Sequence, residues 1–269
     1  GPAYSGASKV SLPIYESAGL PIITPSATNP TLYDFGKTVF HRAVLTDDYQ
    51  GPALARLVTS KVKDAKVFLI NDASDYSVGL AKTVDITLAG RLVGKDTTPT
   101  GTTDFTATIA KIKKAKANAV IYTGYFSQAA VFVKQLRDSG SKAVFAAGDG
   151  VLDDQFVKLA RKAAEGALLS APAIPMETAS PKLAAEMVKA GWKPGVYTTE
   201  SYDAANFFLD AIKAGNSTRA TINKYVSTKS HKGLSKTLKF DAQGEVSGAD
   251  VNGFVIKGGK IVLLGAIRA

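Results

Sequence analysis

One stretch decides the fold class, Lys66-Val67-Phe68-Leu69-Ile70, an almost continuous apolar run that is rich in strand-forming residues. A polar loop follows it, and an amphipathic pattern then runs over 77–89 and stops at Gly90. This order of buried strand, loop and helix is half of a βαβ unit. Because the strand is apolar on both faces, it indicates a parallel sheet with helices on both sides.

The same unit recurs along much of the chain. Further strands are predicted over 20–24, 39–45, 119–122, 143–147 and 167–170. Further helices are predicted over 8–18, 50–62, 104–115, 128–139 and 153–164. Strands that alternate with helices of about ten to fifteen residues are typical of right-handed βαβ crossovers. The pattern therefore predicts an α/β fold with parallel sheets flanked by helices.

A proline-containing stretch, Ala171-Pro172-Ala173-Ile174-Pro175, interrupts the alternation and cannot be a central strand. We interpret it as a linker that crosses between two lobes. Helices are then predicted over 181–190, 200–214 and 219–228, and strands over 236–240, 253–256 and 260–264. The last two strands flank Lys257-Gly258-Gly259, which is a hairpin signal.

These patterns predict two lobes. The first comprises residues 1–45 with 172–240, and the second comprises residues 46–171 with 241–269. The hinge candidates are the segments 44–46, 171–175 and 240–246. Clefts at the carboxyl ends of parallel strands commonly bind ligands, so we expect the site between the lobes.

Composition narrows the class of protein. The 269 residues are 45% hydrophobic and 21% charged, as in ordinary globular proteins, and there are no cysteines. Disulfides, thiolate metal sites and cysteine nucleophiles are therefore excluded. The sequence has no dinucleotide fingerprint, P-loop, zinc-protease motif or nucleophile elbow. We expect a binding protein rather than an enzyme, with no cofactor and no metal.

The net charge of +10 raises the question of an anionic partner. Clustered lysines such as Lys61, Lys63 and Lys111 lie at the ends of predicted helices, where cations complement the helix dipole. The chain has no Arg-rich stretch and no aromatic strand of the RNA-binding type. The charge therefore predicts a solvated basic surface and no nucleic-acid partner.

The first candidate binding residues lie near the start of the chain. Ser5 precedes the first helix, where a hydroxyl and helix N–H groups could receive a carboxylate; capping of that helix is the alternative. Ser26 and Thr28 lie in the turn that follows the strand 20–24. Their hydroxyls and amides could hold either end of a zwitterion, and an ordinary proline-bounded turn is the alternative.

Three more candidates follow later strands. Tyr76 comes after the strand 66–70 and could reach across a cleft. Tyr125 follows the strand 119–122, and its ring could close over an apolar ligand or pack under its own loop. Asp149 lies between two glycines that permit close backbone approach, so its carboxylate could pair with a ligand ammonium. The alternatives for the polar groups are helix capping and turn formation.

In chain order, these segments resemble the branched-chain amino-acid-binding periplasmic proteins of ABC importers. The matching motifs are Tyr4-Ser5-Gly6-Ala7-Ser8, Thr24-Pro25-Ser26-Ala27-Thr28-Asn29-Pro30, Asp48-Tyr49-Gln50-Gly51-Pro52, Tyr76-Ser77-Val78-Gly79-Leu80, Gly124-Tyr125-Phe126, Gly148-Asp149-Gly150 and Ala163-Ala164-Glu165-Gly166. They span nearly the whole chain, and their order and spacing together carry the resemblance.

The resemblance implies a two-lobed type I periplasmic binding protein fold that captures a small amino acid, with the branched-chain type favoured. It implies delivery to a membrane ABC permease, in the periplasm or at the extracellular face, with a lipid anchor in a Gram-positive cell. The implied ligand contacts come from Ser5, the backbone around Ser26, and Thr28 in the first lobe, and from Asp149 and Tyr125 in the second. The implied lining of the side-chain pocket is Tyr76, Tyr4 and Tyr197.

Two departures from the family pattern leave alternatives open. Asp149 stands where leucine-binding relatives often carry the longer Glu, so another small carboxylate or amide, such as an aromatic acid, is the alternative ligand. A sensor module on the same fold is the alternative class. The family also begins with two or three βα units before the position of Gly1, so we expect a first lobe that is incomplete at its N-terminus. A fragment, a partner chain that supplies the missing segment, and an omitted N-terminus are the three explanations.

Overall fold

The computed structural model describes residues 1–248 and 250–267. The chain divides into two compact units: unit 1 comprises residues 1–46 and 172–250, and unit 2 comprises residues 47–171 and 251–269. Positions 249, 268 and 269, which fall within the predicted second-lobe segment 241–269, lie outside the described residues. No helix in the described part of the chain has both the length and the apolar character needed to cross a bilayer.

Helices and strands alternate through the first 171 residues. The helices are α1 (Ser5–Ser17), α2 (Asp47–Lys61), α3 (Asp75–Thr87), α4 (Thr106–Lys114), α5 (Phe126–Asp138), α6 (Asp154–Ala160), α7 (Met176–Ala179), α8 (Pro181–Lys189), α9 (Thr198–Lys213) and α10 (Arg219–Thr228). The strands are β1 (Ile22–Thr24), β2 (Phe40–Arg42), β3 (Val67–Asn71), β4 (Leu92–Thr97), β5 (Ala119–Tyr122), β6 (Val144–Ala147), β7 (Leu168–Ala171), β8 (His231–Lys232), β9 (Thr237–Leu238), β10 (Asn252–Lys257) and β11 (Lys260–Ala266). Short 3-10 helices cover Pro30–Phe35, Asp149–Val151 and Arg161–Ala164.

Unit 2 is built on a seven-stranded sheet in the order β11-β10-β7-β6-β5-β3-β4 among its described residues. The strands from β4 to β7 are parallel, whereas β10 runs antiparallel to both β7 and β11. The chain leaves β3 toward β4 and leaves β5 toward β6, so the direction of winding reverses between β3 and β5. Such a reversal opens a crevice at the carboxyl ends of the two strands.

The two faces of this sheet are covered by different helices. Ala146 on β6 packs with Leu54 of α2 and Leu80 of α3. Phe145, which points to the opposite face because strand side chains alternate, lies 6.1 Å from Phe132 and 5.8 Å from Phe156, measured between ring centroids. Burial on both faces is what the continuous apolar runs predicted.

Unit 1 contains a much smaller parallel pair, β1 with β2, in the register Ile22 to Phe40. Its core is supplied mainly by helices. Phe207 of α9 is fully buried and packs in a cluster with Val226 of α10 and Phe240. A second cluster joins Leu12 of α1 to β1, β2 and the 3-10 helix that lies between them.

The segment 241–248 belongs with unit 1, which corrects its predicted place in the second lobe. The backbone N–H of Arg42 donates to the carbonyl of Gly244 at 2.8 Å, and the Arg42 guanidinium pairs with Glu245 at 2.7 Å. Gly244 has a φ of 73°, so the chain turns back sharply onto β2 at this point. The predicted hinge 240–246 is therefore wrong, because this segment lies inside unit 1 rather than at the passage between the units.

Two strands were not predicted, the two-residue strand β8 and the longer strand β4. Among the described strands, β4 pairs with β3 alone at the edge of the sheet, and its side chains alternate between exposed and half-buried. Its polar sequence, Leu92-Val93-Gly94-Lys95-Asp96-Thr97, does not resemble a buried strand. The predicted hairpin, in contrast, is confirmed by the antiparallel pairing of β10 and β11, with Lys257 opposite Lys260.

Candidate functional site

Three of the predicted site residues converge at the carboxyl edge of the unit 2 sheet. Tyr76 lies in the first turn of α3 after β3, Tyr125 is the N-cap of α5 after β5, and Asp149 follows β6. Because β3, β5 and β6 are adjacent and parallel, their carboxyl ends present these side chains together. We name Tyr76, Tyr125 and Asp149 the unit 2 cluster.

A hydrogen bond joins two members of this cluster. The hydroxyl of Tyr76 donates to Oδ1 of Asp149 at 2.7 Å and accepts from the backbone N–H of Gly150 at 3.1 Å. Burial, followed by the nearby carboxylates of Asp149 and Asp47, raises the pKa of Tyr76 well above its ordinary value. The hydroxyl therefore keeps its proton and orients the Asp149 carboxylate.

Glycines on both sides of Asp149 make room for this arrangement. A Cβ on Gly148 would lie 2.6 Å from the Tyr76 hydroxyl, and a Cβ on Gly150 would lie 2.8 Å from Cε1 of the same ring. The rings of Tyr76 and Tyr125 lie 5.2 Å apart between centroids. The Gly-Asp-Gly sequence is thus required by packing against Tyr76, which is a physical reason that the sequence did not reveal.

A hydroxyl network behind the cluster holds the ends of β3 and β5 together. Ser77 Oγ lies 2.9 Å from Thr123 Oγ1 and accepts from the backbone N–H of Asp72 at 2.9 Å. Thr123 Oγ1 is also within hydrogen-bond reach of the Ser77 carbonyl at 2.9 Å. All three residues are buried. No role for Ser77 or Thr123 was predicted from the sequence.

In unit 1, the predicted residues Ser5, Ser26 and Thr28 lie around the turn that follows β1, and we name them the unit 1 cluster. Ser5 is buried at the start of α1, and its hydroxyl accepts from the backbone N–H of Asn29 at 3.3 Å. The Ser26 hydroxyl donates to the carbonyl of Ala3 at 2.8 Å. Thr28 Oγ1 is buried and has no hydrogen-bond partner within residues 1–248 and 250–267. Ser5 thus binds across to the turn, and α1 has no side-chain cap from its N-cap residue Tyr4.

The residue that positions this turn was not predicted from the sequence. Arg42, at the end of β2, is completely buried, and its Nη1 donates to the carbonyls of Ala27 at 2.9 Å and Asn29 at 2.8 Å. Its Nε and Nη2 bind the Glu245 carboxylate at 2.9 and 2.7 Å. One guanidinium therefore joins the turn to the returning segment. An arginine within the apolar run Phe40-His41-Arg42-Ala43-Val44 was the available signal.

The two remaining predicted residues belong to unit 1 and differ in exposure. Tyr4 is 59% exposed, whereas Tyr197 is 8% exposed. Tyr197 is the N-cap of α9 and adopts a left-handed φ of 66°, which is uncommon for a residue with a Cβ. This conformation does not by itself mark a binding residue, because a positive φ also occurs at Asp64, Ala73, Lys116 and Arg161.

The chemistry of both clusters suits a small polar ligand. Unit 2 offers one oriented carboxylate beside two phenol rings, which matches an ammonium group and an apolar body. Unit 1 offers hydroxyls and turn amides, which match a carboxylate. Within the residues that the structure describes, no group of three or more His, Asp or Glu side chains could hold a metal ion.

The described fold is that of the type I periplasmic binding proteins. A family profile described as "Periplasmic binding protein" matches residues 1–259, and the chain belongs to this family. It is similar to the Leu/Ile/Val-binding protein homolog 1 of Brucella suis, with 32% identity over 244 residues, which are 86% of this chain and 64% of that protein. The chain therefore spans about 64% of the length of this curated relative.

Two solved structures agree with this assignment. A leucine-binding protein of Thermotoga maritima superimposes with a TM-score of 0.89 at 28% identity, over 100% of this chain and 79% of that one. A branched-chain amino acid transporter substrate-binding protein of Streptococcus pneumoniae, in complex with isoleucine, gives a TM-score of 0.88 at 27% identity, over 98% of this chain and 78% of that one. The predicted fold class and family are confirmed.

Proposed function

We propose that this chain is an extracytoplasmic solute-binding protein that captures a small amino acid, of the branched-chain type, for uptake by an ABC importer. The observation that carries the proposal is the Asp149 carboxylate, oriented by Tyr76 at the carboxyl end of β6. The names of the similar proteins, which bind leucine or isoleucine, support the ligand class.

Each part of the ligand has a matching group. Asp149 takes the α-ammonium in a charge-assisted hydrogen bond, with Tyr125 contributing a further polar contact. Ser5, the backbone around Ser26, and Thr28 take the α-carboxylate. Pocket walls for the aliphatic side chain come from the remaining tyrosines, Tyr4, Tyr76 and Tyr197.

Capture requires that the two units close over the ligand. The chain passes between them at 46–47, 171–172 and 250–251, and the first two passages coincide with the predicted hinges 44–46 and 171–175. A ligand that contacts both units favours a closed state over an open one. The closed state is the form presented to the permease, in the periplasm or at the outer face of the membrane.

Calorimetry on the 269-residue chain tests the proposal. We expect leucine, isoleucine or valine to bind, and 4-methylpentanoate, which is leucine without its amine, to bind far more weakly. Asp149→Asn should reduce leucine affinity by about 10- to 100-fold, since a hydrogen bond to a charged group contributes roughly 1.5–3 kcal/mol. The matched control is Asp138→Asn, an exposed carboxylate in unit 2 that should leave affinity unchanged. Unchanged affinity in Asp149→Asn would contradict the assignment.

A second ligand class is an aromatic acid without an amine. The observation that favours it is the pair of tyrosine rings, 5.2 Å apart, beside Asp149. Benzoate is the probe in the same calorimeter. Benzoate binding together with no response to leucine would replace the amino acid by this class.

A further inference from the structure

Unit 1 contains a buried ion pair that none of the site residues uses. Glu200, in the first turn of α9, is 0% exposed, and the Lys236 side chain is 10% exposed. Lys236 Nζ lies 4.0 Å from Glu200 Oε1. Removing two charges from water costs several kcal/mol per ion, so a buried pair needs a structural reason.

Burial disfavours the charged form of both Glu200 and Lys236. Burial raises the pKa of the Glu200 carboxyl, and burial lowers the pKa of the Lys236 ammonium, although each charge partly offsets the shift of the other. Asp203, one turn further along α9, is the third charged group that acts on both. Both shifts have the same main cause, which is the burial of the two charged groups.

Each member of the pair holds a different backbone segment. Glu200 Oε1 accepts from the backbone N–H of Ile174 at 3.0 Å, while Lys236 Nζ donates to the carbonyl of Ala43 at 2.9 Å. Thr199 adds a hydrogen bond of 2.8 Å to the carbonyl of Ile174. Ala43 lies just before the chain leaves unit 1, and Ile174 lies just after the chain returns. The ion pair thus joins the outgoing segment to the returning one.

Asp203 fixes the loop that carries Lys236. This fully buried carboxylate accepts from the backbone N–H groups of Leu234 and Ser235, both at 2.7 Å, and from the Ser235 hydroxyl at 2.5 Å. A Cβ on Gly233 would collide with the same carboxylate. The loop that carries Lys236 is therefore anchored to α9, the helix that also carries Glu200.

An ionic pair suits this position better than two apolar side chains. The returning segment presents the N–H of Ile174, which needs an acceptor, and the outgoing segment presents the carbonyl of Ala43, which needs a donor. The Glu200 carboxylate accepts from the first group, the Lys236 ammonium donates to the second, and the two side chains also attract each other. Apolar replacements would leave both backbone groups unpaired, at about 1–3 kcal/mol each.

We propose that Glu200 and Lys236 form a clamp that makes the outgoing segment at Ala43 and the returning segment at Ile174 move as one rigid base. In the first two of the three passages between the units, the clamp confines bending to residues 44–46 and 172–173. This proposal depends on the proposed function in one respect, because a pivot is needed only if the two units close over a ligand.

Amide hydrogen exchange, followed by NMR on the full 269-residue chain, tests the clamp without any ligand. The variants are Glu200→Gln, Lys236→Met and the double variant. Gln keeps an acceptor for the Ile174 N–H, so it removes the charge alone. The Ile174 N–H donates to Glu200 itself, whereas the Ala43 N–H donates to the carbonyl of Thr24 at 2.9 Å and so reports whether the outgoing segment stays in place. We expect exchange at both amides to accelerate by about fivefold or more in each single variant, because a charge-assisted hydrogen bond of the clamp is weakened or lost. The double variant should exceed neither single variant, because either change opens the same clamp.

Two comparisons separate the clamp from a general loss of stability. Asp210→Asn changes a different side-chain contact of α9, the 2.7 Å hydrogen bond between Asp210 Oδ2 and His231 Nδ1, and should leave exchange at both segments unchanged. Exchange at Ile222 in α10 reports on unit 1 away from the clamp. An equal acceleration at Ile222, an effect of each variant on its own segment alone, or additive effects in the double variant would each overturn the proposal.

Leucine binding by the same samples is a separate measurement. If the unaltered chain does not bind leucine, the proposed function is wrong. The exchange measurements still decide whether the clamp exists, because they are made without ligand.

Discussion

The two candidate clusters are built in different ways. In unit 2, Tyr76, Tyr125 and Asp149 come from the ends of three adjacent parallel strands, so the backbone ladder itself brings them together. In unit 1, the turn with Ser26 and Thr28 follows a strand of three residues and is held by individual side-chain contacts, two of which come from the Arg42 guanidinium. We expect a site positioned by a sheet ladder to tolerate the loss of a side chain better than one positioned by such individual contacts.

The clusters also differ in how far their polar groups are satisfied. The Tyr76 hydroxyl in unit 2 both donates and accepts, to Asp149 and from Gly150. The Thr28 hydroxyl in unit 1 has no partner among the described residues. Unit 2 thus presents an oriented carboxylate, whereas unit 1 presents a buried hydroxyl with hydrogen-bonding capacity left over. Three substitutions test this contrast.

The largest expected effect is that of Arg42→Met. This change removes the guanidinium that binds the Glu245 carboxylate and that donates to the carbonyls of Ala27 and Asn29. Breaking one side of a buried pair costs about 3–5 kcal/mol, so the free energy of unfolding should fall by that amount in urea titrations.

The control for Arg42→Met is Lys95→Met, which breaks the exposed pair with Asp85 in unit 2. An exposed pair contributes less than about 1 kcal/mol. Equal losses in the two variants would show that the guanidinium does not hold unit 1 together.

A smaller effect is expected for Tyr76→Phe. The ring still fills its place, but Asp149 Oδ1 and the Gly150 N–H lose the hydroxyl that they share. We expect the free energy of unfolding to fall by about 1–3 kcal/mol in the same urea titrations. Tyr49→Phe, at a 60% exposed position of α2, is the control and should be neutral. A neutral Tyr76→Phe would mean that the hydroxyl does not hold the Asp149 carboxylate.

The smallest effect on stability is expected for Thr28→Val. This change removes a buried hydroxyl and leaves no described partner unpaired, so the free energy of unfolding should stay the same or rise by about 1 kcal/mol. Leucine affinity, measured by calorimetry, should fall, because the hydroxyl is assigned to the ligand. A loss of stability without a loss of affinity would reverse this reading of unit 1.

The same contrast explains what the sequence could predict. Strand β3 was expected at 66–70 and lies at Val67–Asn71, because a continuous apolar run specifies a buried parallel strand regardless of its neighbours. The position of the residues after such strands then follows from topology, which is why Tyr76, Tyr125 and Asp149 could be expected at one edge of the sheet. Their mutual contacts, such as the Tyr76–Asp149 hydrogen bond, depend on side-chain packing and were not predicted.

A long-range side-chain contact accounts for the wrong assignment of the segment 241–248. Arg42 and Glu245 are far apart in sequence, and neither stands in a pattern that indicates the other. Because that pair could not be predicted, the segment 241–248 was assigned to the second lobe instead of unit 1. Strand β4 was missed for a different reason, since an edge strand needs only one ladder partner and can be polar.

That edge strand also bears on how copies of this protein behave at high concentration. A free strand edge is a template for pairing with another chain, and charged side chains make such pairing unfavourable. On β4, Lys95 pairs with Asp85 and Asp96 pairs with Lys111, so another strand that added there would meet fixed charges of both signs. The polar sequence of β4, which prevented its prediction as a strand, therefore protects the edge of the sheet from pairing with another chain.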